Sequence, residues 1–358
     1  MLRSHFTATG CLAAAFVSLT GCGSDDTSTS PDDPEPDQIG IVPPAPPPEK
    51  PGDGAGVVFA VDKLFLGETN RDGTLNKVNG WKQYGYNLDG KVSSLESKDL
   101  CKPSAGAAPN TVYPDGEQGI DNSFGKNILP ILLGLVPAPS TSVNESIAEG
   151  TFTVMLSMEK LGADASYNPL TTRLYAGADL GQAPVWDGTD LWPVRPELLE
   201  NPADITSSKV VFPQSYLVDN TWVSGTKGTV DLNLSVSGYA INLSITSAVL
   251  TMELDPGHKG AVNGTIAGVL ETEALIEELK KVAGGFQPSL CEGSAIEGII
   301  TLIRQSSDIL KDGSQNPSLP CDGVSVGIGF TAKQVQLGAI APPSEPQPDP
   351  CAEPPAGS

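Results

Sequence analysis

The sequence predicts a mainly β protein, a single antiparallel β-sandwich or jelly-roll-like domain over residues 56–341 with a pair of helices inserted late. Three observations carry this expectation. Strict apolar/polar alternation runs through Val230-Asp231-Leu232-Asn233-Leu234-Ser235-Val236, and it returns in Ile241-Asn242-Leu243-Ser244-Ile245-Thr246 after Ser237-Gly238-Tyr239. A period of two buries one face of a strand, and two such runs joined by a short Gly-containing link predict an antiparallel hairpin. Short runs rich in β-branched and aromatic residues recur elsewhere (57–61, 64–66, 152–156, 209–212, 249–254, 262–270), whereas helical periodicity is confined to one late region.

Length and composition set the frame. A chain of 358 residues with 39% hydrophobic content can bury a sizeable core. The formal charge of −22 becomes −23 once residues 1–21, which hold Arg3 and no acid, are removed. Such a surface repels nucleic acid, which is excluded as a partner, and favours divalent cations. No apolar stretch after residue 22 reaches the ~18 residues of a membrane span; Pro130 and Gly134 interrupt the most apolar one, Ile128 to Val136.

In chain order, Arg3 and the apolar run Leu12 to Leu19 have the layout of a bacterial export signal, assigned to residues 1–21. The order Leu19-Thr20-Gly21-Cys22 that closes it resembles the lipobox of bacterial lipoproteins. That resemblance implies that Cys22 receives a diacylglyceryl group, becomes the mature N-terminus and is N-acylated, which anchors the chain in a membrane. Gly23, rather than an aspartate, implies the outer membrane, on its periplasmic face or the cell surface. Residues 22–55 follow as a Pro- and Asp-rich stalk, with nine prolines between Pro31 and Pro51, expected to stay extended and solvated.

Six cysteines include Cys11 within the signal and Cys22. The remaining four, Cys101, Cys291, Cys321 and Cys351, are expected to form two disulfides in an exported protein. Sequence leaves three pairings open, and Cys291–Cys321 with Cys101–Cys351 is the favoured one. Zinc finds no Cys-x-x-Cys pair and only His258 in the mature chain.

In the late helical region, Glu271 and Glu273 suit a helix start and Lys280 and Lys281 its end, with Gly284-Gly285 as the stop. Ser294-x-x-Glu297 is a capping-box pattern opening a second helix with Ile296, Ile299, Ile300 and Ile303 on one face. The run Val324 to Val335 predicts a late strand, bent or bulged at Gly327 and Gly329. Residues 342–358 form a Pro-rich tail.

Two acidic stretches are candidates for a divalent cation. The loop from Gly67 to Asn76 resembles the calcium loop of EF-hand and dockerin modules: Glu68, Asn70 and Asp72 stand at alternate positions, with Thr74 and Asn76 following. Alternating oxygens wrap a hard cation and glycine allows the sharp turn. Glutamate at the first position and Asn79 at the last depart from that pattern, and an Asx-rich turn is the alternative. Asp115, Glu117, Asp121 and Asn122 could likewise supply oxygens to calcium within one loop. No other cofactor is expected.

Aromatic side chains beside polar groups, at Trp81 and Tyr84 and at Trp186 and Trp192, would suit a glycan; burial in the core is the commoner fate of such residues. A Ser-His-Asp triad would depend on His258, a turn residue, and no Gly-rich phosphate loop precedes a helix, so a non-enzymatic binding or surface module, with a glycan or envelope protein as partner, is the leading expectation. A carbohydrate-active enzyme with a carboxylate pair, or a calcium-stiffened structural protein, are the alternatives. The stretches 81–90, 119–122 and 324–330 are similar to uncharacterised lipoproteins of myxobacterial type, a resemblance that implies no activity.

Overall fold

A computed structural model describes residues 40–135, 138–236, 239–345 and 350–352. Its strands are β1 (Val57–Phe65), β2 (Thr153–Glu159), β3 (Tyr167–Gly177), β4 (Leu191–Val194), β5 (Val210–Val218), β6 (Thr221–Val223), β7 (Gly228–Val236), β8 (Tyr239–Leu254), β9 (Gly260–Glu271) and β10 (Gly323–Ile340). The α-helices are α1 (Pro109–Val112), α2 (Leu129–Leu135), α3 (Pro139–Glu149), α4 (Thr272–Phe286) and α5 (Ser294–Gln305).

The domain is mainly β, as its alternation predicts, and all ten strands belong to one mixed sheet. The two facing sheets of a sandwich are not separate here. The antiparallel ladder runs β1–β2–β3–β5–β6–β8–β9–β10 and returns from β10 to β1, so eight strands pair in a closed ring. Closure removes the exposed edges that an open sheet must protect. With eight strands the interior is just wide enough for side chains. Phe59, Leu156, Leu174, Phe212, Trp222, Met252, Ile266 and Phe330 fill it. Three polar groups inside satisfy one another: the Trp222 indole donates to Thr172 Oγ1 (3.2 Å), and the Thr172 and Ser215 hydroxyls pair at 2.9 Å.

The two remaining strands lie outside the ring. β4 runs parallel to the last residues of β10, and Trp192 and Val194 pack with Ala60, Met155 and Tyr175 on the opposite face of the strands from the main core. The hairpin expected at 230–246 forms, with Val230 opposite Ile245 and Leu232 opposite Leu243. The segments 241–246 and 249–254, which read as two strands, are one continuous β8; its first half pairs β7 and its second half β9 and β6.

The glycines of β10 serve closeness, not a bend. Its pairing with β9 runs unbroken from Gly323 to Phe330. A Cβ on Gly327 would lie 2.2 Å from the Tyr84 carbonyl oxygen, and one on Gly329 2.2 Å from the Tyr84 ring. The loop 81–88 therefore presses directly on the strand. Gly284 acts in the same way: a Cβ there would sit 2.4 Å from the sulfurs of both Cys291 and Cys351, so α4 continues through the glycine pair and lies against a disulfide. The capping box at Ser294 does not form, since Gly293 occupies the N-cap with no side-chain bond; the apolar stripe of α5 is buried at Ile296, Ile300 and Ile303.

The disulfides are Cys101–Cys321 and Cys291–Cys351, which corrects the favoured pairing. The physical reason is α5, a helix of 12 residues and so roughly 18 Å long, which follows Cys291 and carries the chain away from it. Cys321 then pairs where its backbone already meets Lys102: Lys102 N–H donates to Leu319 O and Cys321 N–H to Lys102 O. The tail is pinned by Cys351, as expected, but to the end of the helical pair.

Residues 40–55, expected to belong to a solvated stalk, pack against the domain instead. From Gly40 the chain is fixed against the domain: Ile41 exchanges backbone bonds with Gln118 and Asn87, Lys50 with Asn168, and Gly54 donates to Lys160. A polyproline-like backbone leaves its carbonyls free, and here Pro44 O accepts the Tyr216 hydroxyl (2.6 Å) and Pro47 O the Asn168 amide (2.7 Å). Residues 22–39 and most of residues 342–358 lie outside the described residues, as do residues 1–21, read above as an export signal.

Non-reducing peptide mapping is expected to recover peptides joined through Cys101–Cys321 and Cys291–Cys351. Recovery of a Cys291–Cys321 peptide instead would place the segment after α5 wrongly.

Candidate functional site

β1 stops pairing with β10 at Phe65 opposite Gly329, which leaves the next outward groups of β10 without a strand. Side chains take its place. Asn122 Oδ1 accepts from Gly327 N–H (3.0 Å) and Gly125 N–H (2.9 Å), and its amide nitrogen faces the carbonyls of Trp81 (3.0 Å), Tyr84 (3.1 Å) and Gly327 (3.1 Å). Two residues further, Asp308 Oδ1 accepts from Ser325 N–H (2.8 Å) and Oδ2 from the Ser325 hydroxyl (2.5 Å). Asn122, 2% exposed, is thus a strand-edge group, not a cation ligand.

Asp115, Asp121 and Asp308 gather beside this edge with Asp89; Lys126 lies near Asp115 and Asp308, and Lys91 near Asp89. Asp121 accepts from Leu88 N–H (2.7 Å), Asp115 from Ser93 N–H (2.5 Å), and Asp89 from the Gln315 amide (2.8 Å). Burial, reinforced by the neighbouring carboxylates, pushes Asp115 up to about 8 and Asp121 well above the usual carboxylate range. Burial likewise lifts Asp308 to about 7 despite its bonds from Ser325, and raises Asp89. Glu117 is exposed on a separate turn. Sequence reasoning found Asp115 and Asp121 but missed Asp89 and Asp308, which lie outside that stretch.

The other acidic stretch folds as an Asx turn. Asp72 Oδ1 accepts from the amide (2.8 Å) and hydroxyl (2.6 Å) of Thr74, which hold its pKa below the ordinary value. Asn70 Oδ1 is taken by the amides of Asn76 (2.8 Å) and Gln83 (3.0 Å). Glu68 turns the other way, 2% exposed, and its Oε1 accepts from Ser140 N–H (2.9 Å). It caps α3, whose own N-cap, Ala138, has no side chain to offer. Glu68 and Asp72 thus serve different backbone donors, one on α3 and one within the turn. Among the described residues, no group of three or more histidine, cysteine or acidic side chains is placed to hold a metal.

The aromatics are mostly structural. Tyr84 and Trp192 are fully buried, Trp81 lies beneath the ammonium groups of Lys82 and Lys126, and Trp192 donates to Ala178 O. Trp186 alone is half-buried, 5.5 Å from the Trp192 ring. No glycan platform is assembled from these four. His258 is buried and ties turns together, with Nδ1 2.9 Å from Gly162 O and Nε2 3.4 Å from Asn220 Oδ1.

One feature able to receive a ligand is a cleft of about 390 Å³ between the outer face of β1, β9 and β10, the start of α3, and the turn at 69–73. Its floor includes Phe65, Ala261 and Val262. Asp62, at the β1 bulge, accepts the Thr331 hydroxyl at 2.6 Å. Arg71 is turned inward, bonded to Gly264 O, Gln83 O and Thr265 Oγ1 and lying over Tyr84; burial lowers its pKa. Lys63 and Lys333 are exposed on the wall, and Ser140 and Thr141 face them from α3. No protein-family model, curated protein or solved structure matches the chain. The chemistry of the cleft therefore stands on its own.

The carboxylate group beside β10 sets a pH dependence. Unfolded aspartates titrate near 3.9, whereas Asp308 and Asp115 hold protons to about 7 and 8. Across that window the folded chain binds more protons than the unfolded one, so stability falls as pH rises, by up to about 1.4 kcal/mol per pH unit for each group. Urea midpoints are expected to decline from pH 5 to pH 8, and Asp115→Asn to flatten the decline. A wild-type profile that rises over this interval would contradict the shared burial. Asn122→Ala removes the acceptor of two buried amides and the donor facing Tyr84 O and Gly327 O, and is expected to cost about 3 kcal/mol or more in the same unfolding assay; a loss below about 1 kcal/mol would show that the loop is held by other groups.

Proposed function

We propose that the chain is a lipid-anchored protein of a Gram-negative cell envelope, at the outer membrane, and that it acts as a non-enzymatic binding module through the cleft between β1, β10 and α3. The observation that carries the anchoring is the stretch Leu19-Thr20-Gly21-Cys22 at the end of an apolar run. Two disulfides support an oxidising compartment. The cleft supports the binding role, because its exposed polar groups come from four separate elements converging on one open space.

The fixed strap shortens the reach of such an anchor. Only 17 residues lie between Cys22 and Gly40, and backbone bonds to the domain begin at Ile41, so the tether spans at most about 60 Å. A ligand for the cleft would then belong to the envelope itself or to its near surroundings.

Membrane flotation of the full-length protein tests the anchoring. Wild type is expected in the membrane fraction, with an N-terminal peptide whose mass carries the acyl chains. Cys22→Ser is expected in the soluble fraction. If that variant floats with membranes, the anchor lies elsewhere and the proposal fails.

A further inference from the structure

The groups that line the cleft divide into those already spent and those still able to bond. Asn144 is spent, because both of its amide atoms pair with the Leu64 backbone. Arg71 is spent on three acceptors, and one oxygen of Asp72 on Thr74. What remains open is donor-rich. Lys63 and Lys333 carry exposed ammonium groups with no ion pair among the described residues, and Thr141 presents an exposed hydroxyl from the first turn of α3.

Two free ammonium groups in one concavity stand out in a chain of net charge −22. Their positions are fixed by the sheet: Lys63 stands opposite Thr331, and Lys333, two residues on, opposite Ala60. The remaining oxygens of Asp62 and Asp72 line the same space as acceptors. A bare inorganic anion would use the lysines and be repelled by these aspartates. A ligand with an acidic group at one end and hydroxyls at the other would use both sets, while Phe65 and Val262 offer apolar surface to a ring face. The volume of about 390 Å³ falls in the range of small-molecule clefts, roughly 300–1,000 Å³.

We infer that this cleft binds an acidic saccharide, with Lys63 and Lys333 taking its carboxylate and Thr141, Asp62 and Asp72 its hydroxyls. The inference rests on the reading of the chain as a binding module and deepens it. The charge-assisted contacts to the lysines set the preference for the acid, and the acceptors set the preference for a sugar over a simple anion.

Titration calorimetry on the full-length protein in detergent, with digalacturonate as the probe, tests it. Digalacturonate is expected to bind more weakly as salt is raised. Its dimethyl ester is expected to bind about tenfold more weakly or worse, as is the acid to the Lys63→Gln/Lys333→Gln double variant. Both lysines are exposed, so the variant is expected to melt with the wild type, and Thr141→Val is a second, fold-neutral variant expected to weaken the acid severalfold. Equal binding of acid and ester would overturn the inference. So would unchanged binding in the double variant, competition by inorganic phosphate as effective as digalacturonate itself, or no binding of the probe. The binding assay is read in solution and the anchoring assay in membranes, so failure of one leaves the other standing.

Discussion

The fold depends on how the open stretch of β10 is finished. β1 covers that strand only as far as Gly329, and a row of backbone groups follows that nothing in a regular sheet would satisfy. Asn122 supplies the missing pairing at Gly327 and Asp308 supplies it at Ser325. A carboxamide has the donor and acceptor of a peptide group, so it can stand in for one residue of a strand. The substitution works only because Gly327 and Gly329 have no side chains, which lets Tyr84 and the loop around it lie on the strand itself.

That arrangement explains why the long loops are fixed and why acids crowd there. Residues 81–90, 119–122 and 324–330, three stretches far apart in the chain, converge on one amide group. Leu88, held to Asp121, packs with Val249, Ala267 and Val269 on the outer face of the sheet, and Cys101–Cys321 ties the same layer to the segment before β10. Asp308 and Asp121 each serve a backbone donor, and both lie near Asp89 and Asp115. The carboxylates thus do structural work singly and oppose one another together. This is a tension that proton uptake relieves.

Much of the sheet was legible because a period of two survives in any β context. The 230–246 hairpin follows from alternation, β9 and β10 from apolar runs rich in β-branched residues, and the helical pair from its apolar stripe. What failed was the assignment of purpose to small residues. Gly284 and Gly285 resemble a helix stop, and Gly327 and Gly329 a bend, until the partner that needs the space is known. Ring closure was equally invisible, since no local pattern records that β10 returns to β1. The strap was hidden for a related reason: proline-rich composition reports the lack of a core, and says nothing of carbonyls such as those of Pro44 and Pro47 that a neighbouring domain can bind.

The candidate site was the least legible part, and the cause is geometric. The acidic loops drew attention because their oxygens are close in sequence, yet closeness in sequence let those oxygens satisfy one another: Asp72 with Thr74, Asn70 with Asn76. Lys63 and Lys333 are 270 positions apart and belong to no motif. They share a wall because β1 and β10 are the strands at which the ring closes, and the bulge at Asp62 re-aims the end of β1. The turn and α3 enclose the remaining sides, with Glu68 joining them by capping the helix from the loop. The cleft is therefore a product of ring closure and of one helix cap, and its free lysines are the groups that local hydrogen bonding leaves unused.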